Sequence, residues 1–328
     1  MKNNLRTDLV DELITETKRD NYDNLSVTRI DVDEKRANII GKKVGKYVTI
    51  EFEDVIDYDE KEKIKSVFSN ELIKIINSLN LTDDASCLIV GLGNEKSTPD
   101  ALGPLSLKQV IVTNHLFELG EVSEGFRKTF ALSPGVKGET GIETSDLIKS
   151  VVLSVKPDFL IVIDALASTS IERVNKTVQI SDAGINPGSG VGNQRKEISY
   201  ETIGIPVIAI GVPTVVDAVT IVSDTINYMY KNIAYTKENL NNPANKLKTF
   251  VDYTKYEVSE NQKDKEHLLG IVGSLNEEET KRLIFEVLSP IGYNLMVTPK
   301  EEDFTIEKLA DLLAGGINKA LHKSVDNF

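Results

Sequence analysis

The chain is 328 residues long and carries 38 Lys and Arg against 51 Asp and Glu, a formal net charge of −13. That excess of acid repels nucleic-acid phosphates and anionic membrane surfaces, which argues against binding either by charge attraction. With 40% hydrophobic and 27% charged residues the composition excludes a disordered or fibrous chain, and the length suits two ordinary domains or one enlarged α/β domain.

In chain order, residues 1–20 are interrupted by charges every few positions and contain no apolar stretch of the kind a secretory signal needs. A strand is predicted over Tyr47–Glu53, followed by an amphipathic helix through Ile64, Val67, Leu72, Ile73 and Ile76. Cys87-Leu-Ile-Val90 is a continuous apolar run that opens into Gly91-Leu-Gly93-Asn94, the pattern of a buried parallel strand entering a loop. The loop carries Thr98-Pro99-Asp100, and Gly103-Pro104 then starts a helix through Leu105, Leu107, Val110, Ile111 and Leu116. A second helix, capped by Thr144-Ser145-Asp146 and stopped by Lys156-Pro157, leads into the apolar strand Phe159–Ile163 with Asp164 at its end. A third strand, Val207–Gly211, passes through Val212-Pro213-Thr214 into a helix bearing Val216, Val219, Ile221 and Ile226. Beyond about Tyr235 the chain is polar and helical in pattern, with a late apolar segment at Ile291–Val297. Strands alternating with helices predict a three-layer α/β/α sandwich. Its sheet is mostly parallel and doubly wound, it ends in a helical C-terminal extension over 235–328, and its site lies at the carboxyl ends of the strands.

Cys87 is the only cysteine, so neither an intrachain disulfide nor a cysteine zinc site is available, and a reducing, cytoplasmic setting is expected. Ile203–Val222, the longest apolar stretch, contains Pro206, Pro213 and Asp217 and is not expected to span a membrane. Gly91-x-Gly93 follows a strand, but the third glycine of a dinucleotide fingerprint would fall at Lys96. Neither H-E-x-x-H, G-x-S-x-G, D-T-G nor D-S-G occurs, and His115, His267 and His322 are scattered away from the strand ends. What remains is two carboxylates at strand ends, Asp100 and Asp164. Either alone reads equally well as a turn former or cap. Together they can work on one water, one accepting its proton while the other, kept protonated, donates to a carbonyl oxygen or leaving amine. Asp217 stands beside a predicted helix start and reads better as its cap. The glycines of Gly184–Gly192 suit either a flexible surface loop or a close-approach loop that binds extended peptide.

The segments Gly91–Asn94 with Thr98-Pro-Asp-Ala-Leu-Gly-Pro104, Gly141–Asp146, Ile163-Asp-Ala-Leu-Ala-Ser168, Asn186-Pro-Gly-Ser-Gly-Val-Gly-Asn193, Gly211–Asp217 and Leu295–Lys300 resemble the germination proteases of spore-forming Gram-positive bacteria over nearly the whole chain. The resemblance implies an atypical aspartic-type endopeptidase of the spore core that attacks small acid-soluble spore proteins. It also implies a homotetramer and a zymogen that removes its own propeptide. The matching processing motif is Arg6-Thr7-Asp8-Leu9, which implies a propeptide of residues 1–8, cleavage between Asp8 and Leu9, and a single α/β peptidase domain over 9–328. Catalysis is expected from Asp100 and Asp164. An acidic residue before the cut bond calls for a basic subsite, with Lys137, Arg195 and Lys196 as candidates beside the loop Gly188-Ser189-Gly190. The fold implied is similar to that of hydrogenase maturation endopeptidases, whose metal is held by two acidic residues and a histidine. No histidine stands where the third ligand would be, so no metal or other cofactor is expected. A metal-dependent maturation peptidase and a non-enzymatic peptide- or nucleotide-binding module are the alternative readings.

Overall fold

The computed structural model describes residues 7–14, 17–22, 24–188, 195–239, 262–288 and 295–327. The chain forms two compact units, Met1–Val216 with Thr298–Phe328, and Asp217–Val297.

The first unit is built on a mixed sheet of strands β1 (Lys18–Tyr22), β2 (Leu25–Val32), β3 (Gly45–Phe52), β4 (Cys87–Gly91), β5 (Thr129–Leu132), β6 (Phe159–Ser168), β7 (Thr177–Ser181) and β8 (Val207–Asp217). Their order is β1-β2-β3-β7-β8-β6-β4-β5. The half from β8 to β5 is parallel, as the apolar runs predict for β8, β6 and β4; β5 is not predicted from the sequence. The half from β1 to β7 is antiparallel and joins β8 through β7. Sequence reading takes β1 and β2 for a charged leader and passes over β7. β1 is exposed along its whole length, and β2 and β7 carry buried Ser26, Thr28, Thr177, Gln179 and Ser181, which erase the hydrophobic alternation by which a strand is recognised.

Both faces of the parallel half are covered, which gives the α/β/α layering. On one face Cys87, Ile89, Phe159, Ile161, Ile163, Ile208 and Ile210 pack against the helices Tyr58–Ser78 and Glu302–Leu321. On the other, Leu88, Val90, Leu160 and Val162 pack with Ile148 and Val152 of the helix Thr144–Val155. Glu302–Leu321 therefore belongs to the first unit's core and is not part of one continuous extension from 235. The reason is its buried stripe Ile306, Leu309, Leu313 and Ile317, which fits the groove beside Phe68 and Leu72.

Three helix boundaries differ from the sequence expectation: the helix expected to bear Val216 begins only at Ala218, because residues 212–217 continue β8. The helix placed over 105–116 is split into Leu102–Leu107 and Asn114–Leu119. Asn318 donates to the Gln109 carbonyl (3.0 Å) and accepts from the Ile111 N–H (2.9 Å), which takes these backbone groups out of any helical ladder. The helix at 144–155 has Glu143 rather than Thr144 at its N-cap, and it ends at Lys156 in the left-handed conformation just before Pro157.

The second unit is helical, with Ala218–Glu238, Gln262–Leu269 and Glu277–Leu288 as its main described helices. Asp217 caps the first of these by accepting from the Val219 N–H at 2.8 Å. Of the late apolar segment, residues 291–294 lie outside the described residues.

Candidate active site

Asp164 is the residue of β6 that follows its apolar run, and it is buried. Its Oδ1 accepts the Ala165 N–H at 3.0 Å. Asp100 ends a single 3-10 turn, Thr98–Asp100, after β4. Three glycines fold that turn back on the strand. A Cβ at Gly93 would sit 1.9 Å from the Asp100 carbonyl oxygen, and Gly91 and Gly103 oppose each other so closely that a Cβ on Gly91 would meet the Gly103 oxygen at 2.3 Å. The Asn94 N–H donates to Asp100 Oδ2 at 2.9 Å, and Thr214 of β8 donates to the Pro99 carbonyl at 2.6 Å. The turn is thus tied to its own strand and to β8.

The two carboxyls share one electrostatic environment. Burial raises both above the usual carboxylate range, and Asp164, raised further, also feels the charge of Asp100 and then of Asp8. The Arg195 guanidinium opposes the rise at both, and the Asn94 N–H opposes it at Asp100. Such a pair holds one proton at pH values where ordinary carboxylates are fully ionised.

The third carboxylate comes from the N-terminal segment, which lies along the same side of the sheet. The Asp8 N–H donates to the Ala167 carbonyl (3.0 Å), and the Ala167 N–H donates back to Asp8 Oδ2 (3.0 Å). Lys42 Nζ donates to the Thr7 carbonyl at 2.9 Å; its pKa is lowered by burial and held up in part by Asp8 and Glu12. Gln179 of β7 donates to the Asp8 carbonyl (3.3 Å) and accepts from the Val10 N–H (2.8 Å). Leu9 is fully buried, and Val10 joins a small cluster with Ile30, Val32, Tyr47 and Ala183. Glu12 accepts from Ser168 (2.5 Å) and Thr169 (2.7 Å), and Arg173 pairs with Asp11 at 2.5 Å.

The sequence-predicted residues therefore divide. Asp100, Asp164, Asp8 and Arg195 come together. Lys137 pairs with Glu143 at 2.9 Å and Lys196 with Asp146 at 2.8 Å, both as exposed cations. Gly188 is described, in a positive-φ turn, whereas Ser189 and Gly190 lie outside the described residues. Arg195 thus acts on Asp100 and Asp164, and Lys42 interacts with Asp8. The sequence alone does not point to Lys42 or Gln179, and Ala167 enters only within the Ile163–Ser168 segment; the pair Lys42-Lys43 after Gly41 is the one local signal. Among the described residues no group of three or more His, Cys, Asp or Glu is arranged to hold a metal ion. The two aspartates, with a guanidinium acting on both, do not fit the two-carboxylate-plus-histidine donor set.

A family model described as germination protease matches residues 2–328. The germination protease of Priestia megaterium is 50% identical over 312 residues, covering 92% of this chain and 84% of that protein. Those of a Geobacillus species and of Bacillus cereus are also 50% identical, over 93% and 92% of this chain and 84% and 85% of theirs. With a match that runs through both strand-end aspartates and the Asp8–Leu9 segment, the chain belongs to the germination protease family.

Proposed function

We propose that this peptidase of spore germination is an aspartic-type endopeptidase that begins the breakdown of small acid-soluble spore proteins, working in the spore core as a homotetramer. It is made as a zymogen that cuts its own chain between Asp8 and Leu9. The observation that carries the reading is the convergence of Asp100 and Asp164 in one desolvated field beside Asp8, whose carbonyl belongs to the bond to be cut.

Asp164, the more strongly raised, is the acid, and Asp100, hydrogen-bonded by the Asn94 N–H, is the base. A water between them adds its oxygen to the peptide carbonyl carbon and gives a proton to Asp100. The leaving nitrogen takes a proton from Asp164 as the carbon–nitrogen bond breaks, so the pair again holds one proton, now on Asp100. An acidic residue before the bond is met by the Ala167 N–H and by the charge of Lys42. Arg195 keeps the pair from holding a second proton. Thr7 and Asp8, held by Lys42 and Ala167 beside Asp164, occupy the place a substrate would take, which supports latency of the uncut chain. The net charge of −13 keeps the enzyme off DNA while it attacks DNA-coating proteins.

The test is mass spectrometry of a small acid-soluble spore protein incubated with the chain freed of residues 1–8, with and without a chelator. Chelator-insensitive cuts after acidic residues are expected. Cleavage abolished by chelator and restored by metal moves the site to a metallopeptidase mechanism, and the absence of any cut removes the substrate assignment. Light scattering on the same sample should give four times the chain mass.

A further inference from the structure

We infer that Gln179 is a further catalytic residue: its side-chain amide polarises the carbonyl of the Asp8–Leu9 bond and stabilises the negative charge that forms there. The inference rests on the reading of Asp8–Leu9 as the bond cut in self-processing. The Val10 N–H can only donate, so the amide oxygen of Gln179 must face it at 2.8 Å, which leaves the Nε2 hydrogens for the Asp8 carbonyl at 3.3 Å. One side chain thus straddles the bond, holding the carbonyl oxygen on its near side and the second N–H beyond it.

The sheet register places this amide opposite the acid. Gln179 pairs with Gly211 across β7 and β8, and Gly211 pairs with Asp164 across β8 and β6, so the three residues form one row on one face. At about 4.8 Å per strand the row spans roughly 10 Å. The Leu166 side chain lies over the middle glycine, where a Cβ would stand 2.4 Å from its Cδ1. Gln179 is itself buried, and a donor fixed in a water-poor site strengthens as charge develops on its acceptor.

In the step that follows, the water oxygen bonds to the Asp8 carbonyl carbon and its proton passes to Asp100. The carbonyl electron pair moves onto the oxygen that faces Gln179 Nε2. That pair then re-forms the carbonyl as the carbon–nitrogen bond breaks and Leu9 nitrogen takes the Asp164 proton. Gln179 donates a hydrogen bond throughout and gives up no proton.

The test uses the full chain and follows the first-order appearance of the Leu9-started product by intact mass. Gln179→Glu keeps an acceptor for the Val10 N–H, and so the anchor, but removes the donor to the carbonyl; Gln179→Met keeps the size without charge. Both should process on the order of 100-fold or more slowly than wild type, as loss of one such donor costs in other hydrolases, with melting curves that show a folded chain. A rate within about threefold of wild type in either variant overturns the role of Gln179. If instead wild type matures at another bond, the reading of Asp8–Leu9 falls and the inference with it, a result the product masses distinguish at once.

Discussion

Asp164 carries opposite consequences for stability and for turnover. Its carboxyl is raised in the folded chain, so folded protein binds a proton that unfolded protein releases between the two pKa values, and stability from this group declines as pH rises through that window. Asp164→Asn removes the buried acid and keeps its shape. Turnover and self-processing should vanish while the melting temperature at pH 7 rises by about 2–4 °C, the response of a sizeable domain to ~1 kcal/mol; a residual rate or a lowered melting point would count against the assignment. The same logic fixes the sign for Arg195, which holds both carboxyls down. Arg195→Ala should move both limbs of the pH–rate profile to higher pH, whereas unmoved limbs would show that the guanidinium does not act on the pair.

The elements differ in how openly the sequence announces them. β4, β6 and β8 are legible because each opens on an apolar run buried on both faces, and the legibility extends to Asp100 and Asp164 because each follows such a run, although β6 continues past Asp164 to Ser168 rather than ending at it. Gln179 and Lys42 are not legible. What they do depends on the N-terminal segment reaching them, and the Val10–Gln179 bond closes a separation of 169 positions. The break in the predicted helix at 105–116 is hidden for the same reason, since its cause is Asn318. Asn318→Ala would leave the Gln109 carbonyl and the Ile111 N–H without that partner, at a cost of about 1–3 kcal/mol. Faster amide exchange at Ile111 is the expected signature, and unchanged protection there would mean that other contacts hold the segment.

At the scale of the whole molecule, the N-terminal segment is held on both sides of the bond proposed for cleavage, but not equally. Before it stand the Ala167 and Lys42 contacts; after it stand Gln179, the Glu12 hydrogen bonds and the pairing of Arg173 with Asp11 and Glu51. On the proposed processing, residues 9–13 are therefore expected to stay docked after the cut. Arg173→Ala takes from the buried Asp11 its ion-pair partner while Glu51 keeps Arg19, and limited proteolysis should then cut within residues 9–14 in a chain that wild type protects. An unchanged digestion pattern would show that the apolar seat of Leu9 and Val10 suffices. Among the described residues no helix is long and apolar enough to cross a membrane.

The opposed glycines Gly91 and Gly103 set how such an enzyme can diverge. Because backbone touches backbone there, the position of Asp100 relative to β4 is written in covalent dimensions and owes little to which aliphatic side chains fill the layers on either side. Descendants of this chain can exchange core residues freely while their chemistry stays in register, and a scan of all single substitutions should find intolerance concentrated at Gly91, Gly93 and Gly103 while their aliphatic neighbours remain permissive.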